Sequence, residues 1–326
     1  MSGFRPCRRG AFAVLLSAAL ALAACSDGVA PWAQTEICYE LTPATLEVLR
    51  RAQDGDAESR NEMGVVYATG RGGLPQDYRR AAEWLEKAAA QGLPEAQYNY
   101  ALLFELGKGV KKDPVEAAEW LEKAANQGLA EAQFELGNLY RRDVGVPQDV
   151  RHAVALYLRA AKQGHAPAQY NLGLLYDYGR GVLLDTEEAV KWYRRAAEQG
   201  LAVAQVKLAN KYEQGRGVPK DDQQAFAWFE RAARQGLSMA QVNLAVMSFK
   251  GIGVERDPVS AYAWFSLAAD QGVGRAMRYR EEVRGMLSPS ERERAESLAE
   301  RLAGLYESAA QQSEGPRFVL RDAASD

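Results

Sequence analysis

Few side chains in this sequence are placed to do chemistry. Two His and three Cys among 326 residues are too few soft ligands for a zinc finger, an iron–sulfur cluster or a disulfide-dense scaffold. His152 and His165 have no Cys or carboxylate at metal-ligand spacing, so no metal site is expected. Gly179-Arg180-Gly181 and Gly215-Arg216-Gly217 pair glycines as a phosphate loop would. They lack the GxxxxGK[ST] run and follow a helical pattern instead of a strand, so they read as turns. No Ser or Cys stands in a nucleophile context such as GxSxG. Glu187-Glu188 and Asp221-Asp222 fall in first helical turns, where negative charge suits the helix dipole. Neither a catalytic residue nor a cofactor site is expected. Lys plus Arg total 40 against 43 Asp plus Glu, a net charge of −3, which lacks the basic excess of a nucleic-acid binder. A composition 47% hydrophobic and 25% charged is that of a globular chain.

The one residue whose surroundings point to a reaction is Cys25. Residues 1–24 carry Arg5, Arg8 and Arg9, then an apolar run from Ala11 to Leu22, then small residues, the pattern of a secretory signal peptide. Twelve residues make a helix about 18 Å long against a hydrocarbon core of about 30 Å, too short to span it. Leu22-Ala23-Ala24-Cys25 resembles a bacterial lipobox, which implies cleavage before Cys25 and acylation of that residue; ordinary cleavage near Ala24, leaving a free thiol, is the alternative. Cleavage removes three Arg and no acid, leaving 37 bases against 43 acids and a net charge of −6. Cys38 is then the only remaining thiol and cannot close a disulfide within the chain. Residues 25–42, with Pro31 and an adjoining Pro43, read as a tether, and Ser26 favours the outer membrane.

The rest of the chain is governed by a 36-residue period. Gln-Gly recurs at Gly92, Gly128, Gly164, Gly200, Gly236 and Gly272, and Asp77, Asp113, Asp149, Asp185, Asp221 and Asp257 keep the same step. Trp84, Trp120, Trp192, Trp228 and Trp264 form a column in which Leu156 takes the vacant place, and Ala pairs follow each member. Self-similarity at this period denotes stacked supersecondary units.

Each unit reads as two helices. Ala96, Tyr100, Ala101 and Phe104 share one helical face, and Gly107-Lys108-Gly109 ends that first helix. Asp113-Pro114 starts the second with an N-cap and a first-turn proline. Ala117, Trp120, Leu121, Ala124 and Ala125 make its apolar stripe, and Gln127-Gly128 stops it. Ala101, Gly137, Gly173, Ala209 and Ala245 put small residues mid-helix, which predicts a close crossing, with Trp120 filling the space left by the Ala pairs. One hairpin cannot cover both its faces, so hairpins must stack into an all-α solenoid.

These columns, Ala96, Ala101, Phe104, Gly107-x-Gly109-Val110, Asp113, Ala117, Trp120, Ala124-Ala125 and Gln127-Gly128, resemble the Sel-one-like repeat (SLR) family, a relative of the tetratricopeptide (TPR) repeats. The resemblance implies a right-handed, TPR-like superhelix over residues 55–286, about six hairpins plus a seventh first helix. Asp143 stands where the family has Gly and Ser248 where it has Tyr, so those two hairpins are expected to be looser. Residues 43–54 read as an N-terminal capping helix. Ser288-Pro289-Ser290-Glu291 is a capping box that opens a closing helix within 287–310. Residues 311–326 read as a disordered tail, in which Phe318, Val319 and Leu320 form a candidate docking motif.

If the first helices face inward, as in TPR solenoids, the positions opposite their packing face line a groove. Tyr98 and Leu102 fall there, then Phe134, Asn138, Arg141 and Arg142, then Tyr170, Asp177 and Tyr178, then Asn210. Aromatic anchors beside Arg and Asn suit an extended peptide or a helix; packing of Tyr98, Phe134 and Tyr170 between hairpins is the competing reading. The expected function is a non-catalytic cell-envelope lipoprotein facing the periplasm, anchored through Cys25 and binding a protein or peptide partner. The alternatives are an envelope hydrolase of β-lactam or peptidoglycan type, a branch whose paired cysteines this chain lacks, and a secreted host-interaction factor.

Overall fold

A computed structural model describes residues 41–310 and 318–319; the signal segment, Cys25 and Cys38 lie outside them. The described residues are all-α, with fifteen helices and no strand. They are α1 Pro43–Gln53, α2 Ala57–Thr69, α3 Tyr78–Ala90, α4 Pro94–Leu106, α5 Pro114–Asn126, α6 Ala130–Arg142, α7 Val150–Lys162 and α8 Ala166–Tyr178. There follow α9 Thr186–Glu198, α10 Ala202–Gln214, α11 Asp222–Ala233, α12 Ser238–Lys250, α13 Pro258–Asp270, α14 Gly274–Met286 and α15 Pro289–Ala310. They form two compact units, residues 41–127 with 318–319, and residues 128–310. Within each unit, helices pair as hairpins and each hairpin packs on the next, the one-dimensional stacking of a solenoid.

Helix ends follow from their capping residues. The Asp113 carboxylate accepts from the amides of Val115 and Glu116 at 3.0 and 3.2 Å, and Pro114 occupies the first turn. The amide of Asp113 donates back to the Phe104 carbonyl at 3.1 Å, pinning the loop. Gly107 caps α4 at φ 66°. Gly109 has a further constraint: at φ 74°, a Cβ there would fall 1.9 Å from the Tyr78 carbonyl oxygen of the preceding hairpin, so backbone meets backbone where only glycine fits. The looser turns expected at Asp143 and Ser248 are not found. Asp143 itself takes the left-handed conformation at φ 59° and its carboxylate accepts from the Gln148 amide at 3.0 Å, a role that Asp fills more readily than most residues. The Ser248 carbonyl accepts from Asp257 at 2.8 Å as its Tyr counterparts do.

The small mid-helix residues do mark a close crossing, but the Trp column does not fill it. The next residue does. A Cβ on Gly137 would lie 2.8 Å from the Tyr157 ring and one on Gly173 would lie 2.5 Å from the Tyr193 ring. Gly137 and Gly173 face Tyr157 and Tyr193, whose rings are fully buried, and Gly64 faces Leu85; Ala101, Ala209 and Ala245 hold the small position in hairpins whose second helix supplies Leu121, Phe229 and Phe265. Burying a side chain of this size contributes about 1.5–3 kcal/mol. The Trp column lies one position round the helix and is capped by a cation one turn on: Lys87 over Trp84, Lys123 over Trp120, Arg195 over Trp192 and Arg231 over Trp228.

Glutamines tie successive hairpins together. Gln97, Gln133, Gln169, Gln205 and Gln241 are buried in the first helices, and each accepts from the glutamine that closes its own hairpin, at 2.7–3.0 Å. Gln169 and Gln205 also donate to Ala161 and Ala197, carbonyls at the end of the preceding hairpin, at 3.1 Å. The Gln-Gly pair is therefore a rung of hydrogen bonds as well as a helix stop. At the far end of the second unit, Ser288 and Glu291 exchange capping-box bonds, and α15 packs on α13 with Ala295 and Leu302 buried.

Candidate functional site

Two faces of the solenoid carry polar groups that the packing does not require. In the first unit, α4 presents Asn99, fully buried, one residue past the expected groove position Tyr98. Asn99 Nδ2 donates to the Val319 carbonyl at 2.7 Å and to Asn61 Oδ1 at 2.8 Å, while its Oδ1 accepts from the Val319 amide at 2.8 Å. Asn61 of α2 donates a second bond to the Val319 carbonyl at 3.2 Å. Bonding both the N–H and the C=O of one residue is what an adjacent strand does, so the pair grips backbone irrespective of side chain. Phe318 packs on the hydrophobic core of this unit. Tyr98 and Leu102, expected to line a groove, are buried, at 5% and 9% exposure.

In the second unit the remaining groove candidates gather over the buried tyrosines. The Tyr157 hydroxyl donates to Asn138 Oδ1 at 2.7 Å and accepts from Arg141 Nε at 3.2 Å. Asn138 donates to Glu135 at 3.0 Å, and Asn171 Nδ2 lies 3.5 Å from the same Asn138 oxygen. Phe134 is half-buried, its ring 5.7 Å from Tyr157 and 4.8 Å from His165. Tyr170 is half-buried with its ring 6.0 Å from Tyr193. The Tyr193 hydroxyl donates to Asp177 at 3.3 Å, and Asp177 pairs with Lys211 of α10. Asp177 is thus held within the protein and not offered to a groove. Arg141, Arg142 and Tyr178 are exposed, and Asn210 is half-buried. Burial pushes the Tyr157, Tyr170 and Tyr193 hydroxyls up in pKa, the Asp177 charge adding to the effect at Tyr193 while the Arg141 charge opposes it at Tyr157. All three are neutral at physiological pH, and Tyr157 and Tyr193 act as donors.

A cleft of about 540 Å³ opens beside this network, lined by Arg141, Gln148, Tyr157, Asn171, Leu174 and Tyr178 among others. Asn171 repeats the register of Asn99 two hairpins on. Sequence reasoning missed Asn61, Asn99 and Asn171. The available signal was the recurrence of Asn at 99, 171 and 243 in a column that otherwise varies. No group of three or more His, Cys, Asp or Glu that could hold a metal, and no helix long and apolar enough to cross a membrane, occurs among the described residues.

The Sel1 repeat model matches six consecutive segments, 57–93, 94–129, 130–165, 166–201, 202–237 and 238–273. The chain belongs to the Sel1 repeat family. A Sel1 repeat protein from Oxalobacter formigenes is 35% identical, with a TM-score of 0.68 over 76% of this chain and 72% of its own. The protective antigen c5321 of uropathogenic Escherichia coli, which has an SLR fold, is 26% identical with a TM-score of 0.49, over 84% of this chain and 75% of its own. No curated protein matches the chain. Sel1 repeat proteins are in general protein-interaction scaffolds, and the Sel1 segments here supply the helices that carry both polar faces.

Proposed function

We propose that this chain is a non-catalytic scaffold of the bacterial cell envelope, anchored by acylation of Cys25, that binds a protein partner along the first-helix face of its second unit. The observation that carries the binding reading is register: Asn99 bonds the amide and the carbonyl of one residue in the first unit, and Asn171, two repeats on, lines a cleft of about 540 Å³. Around that cleft Arg141 and Tyr178 are exposed, while Phe134 and Tyr170 offer half-buried aromatic surface. Aromatic and Arg side chains of this kind dominate interface energetics. Buried Tyr157 holds Asn138 and Arg141 in place before any partner arrives, which lowers the ordering cost of binding. The envelope reading rests on the Arg-rich start, the 12-residue apolar run and Leu22-Ala23-Ala24-Cys25.

The test is capture of crosslinked partners from the native membrane by wild-type protein and by the Arg141→Glu plus Tyr170→Ala variant, with circular dichroism to establish that both are folded. Loss of specific partners in the variant supports the proposal; retention of every partner by the folded variant overturns it.

A further inference from the structure

The Asn61–Asn99 pair poses a question that a scaffold role for the second unit leaves unanswered. Two carboxamides are buried at 2% and 0% exposure, and among the described residues their side-chain partners are each other and the backbone of Val319. With Val319 in place every one of these groups is paired; without it Asn61 Nδ2 and Asn99 Oδ1 lose the partner that the described residues give them, while Asn99 Nδ2 keeps Asn61. The site is shaped to hold a main-chain segment. Its chemistry specifies which kind: Asn99 bonds the amide and the carbonyl of one residue, so the occupant is extended at that point and is read through its main chain, and the residue before it is apolar, since Phe318 packs on the core. Sequence places Phe318-Val319-Leu320 in the chain's own tail.

We propose that the Asn61–Asn99 pair is a peptide-binding site for extended segments carrying an aromatic residue followed by a backbone-clasped one, and that Phe318–Val319 is its built-in occupant, displaced when a partner presents a segment of the same kind. A segment that belongs to the chain competes at an effective concentration on the order of mM, so only a partner that is itself locally concentrated or better matched exchanges with it. The pair lies in repeats other than those of the cleft, so the two proposals are tested on different residues.

The probe is a fluorescein-labelled synthetic peptide of residues 314–324, titrated by fluorescence anisotropy into the full chain, into a tail-released full chain (Phe318→Asp plus Val319→Pro), and into that chain with Asn99→Ala. The tail-released chain is expected to bind at least tenfold more tightly than wild type, and Asn99→Ala to remove that gain. Should Asn99→Ala disturb folding by circular dichroism, modified peptides decide the matter on the unaltered protein: N-methylation of the valine amide abolishes binding, whereas valine replaced by alanine is tolerated. Equal binding by wild-type and tail-released chains, or undiminished binding of the N-methylated peptide, overturns the proposal. The Arg141→Glu plus Tyr170→Ala variant, intact at both asparagines, keeps the peptide response after tail release even if the second-unit face binds nothing.

Discussion

Lys211 forms a buried ion pair with Asp177 of the preceding hairpin, at a register where the other unit-two copies place Leu139, Leu175 and Met247. Both side chains are less than a tenth exposed, and the Tyr193 hydroxyl donates to the second carboxylate oxygen. Removing one partner strands the other charge in a dry site, which typically costs about 3–5 kcal/mol, while replacing both with apolar residues is often neutral. Lys211→Leu alone is therefore expected to lower the thermal midpoint strongly, and Lys211→Leu with Asp177→Leu to recover most of the loss. A double variant as unstable as the single one refutes this account.

Gly173 and Tyr193 are matched in size. Alanine at 173 gains about 1 kcal/mol of helix propensity but sets a Cβ 2.5 Å from the ring, and overpacking of this kind costs about 1–3 kcal/mol. Gly173→Ala is expected to destabilise, and adding Tyr193→Leu, which reproduces the Ala101 and Leu121 types of an earlier hairpin, to restore part of the stability. Chemical denaturation of the three proteins measures both effects.

The glutamine rung predicts an asymmetry. Gln169 is buried, donating to Ala161 and accepting from Gln199, whereas Gln199 is exposed. Gln169→Leu leaves a buried carbonyl without its donor and is expected to cost about 1–3 kcal/mol; Gln199→Ala, with water at hand, about 0.5–1.5 kcal/mol. Equal losses in denaturant titrations count against the rung.

Tyr100 is pushed up to about 12, chiefly by burial and then by the charges of Glu86 and Glu116. Unfolding returns it to about 10, so the unfolded chain loses this proton first. The stabilisation is present below pH 10 and declines as pH rises from 10 through about 12. Tyr100→Phe is expected to show a shallower alkaline fall in thermal midpoint, with Tyr157 and Tyr193 still contributing. Identical alkaline profiles for the two proteins exclude the assignment.

Acylation at Cys25 gives the plainest test of the envelope proposal. Cys25→Ser is expected to abolish metabolic labelling by an alkynyl fatty acid and to shift the protein from the membrane fraction to the soluble one. Retained labelling removes Cys25 from consideration.

The period and the capping residues were legible because their physics is local: Asp113 bonds amides two and three residues away, and Gly107 answers only to its own dihedral angles. Pairings between helices were less so. The small column at Ala101 and Gly173 announced a close crossing, but the residue that meets it, in the Leu121 column next to Trp120, lies in the other helix of the hairpin. Gln127 was read as a helix stop because its partner, Gln97, lies in the other helix of the hairpin, 30 residues earlier. Asn99 carried no local signal at all; its partner is 220 residues distant, and only its recurrence at 171 and 243 hinted at a role. Lys211 is the one charged member of its column in the second unit, a departure visible only once the copies are laid in register.

Since within each unit the first-helix glutamine joins its hairpin to the one before through the same bond to a backbone carbonyl, the seam has no memory of which copy it joins. A whole 36-residue module can be excised or duplicated, and the flanking modules meet through chemistry they already possess; reach along a partner is thereby adjustable in fixed increments, without any fresh interface having to be invented.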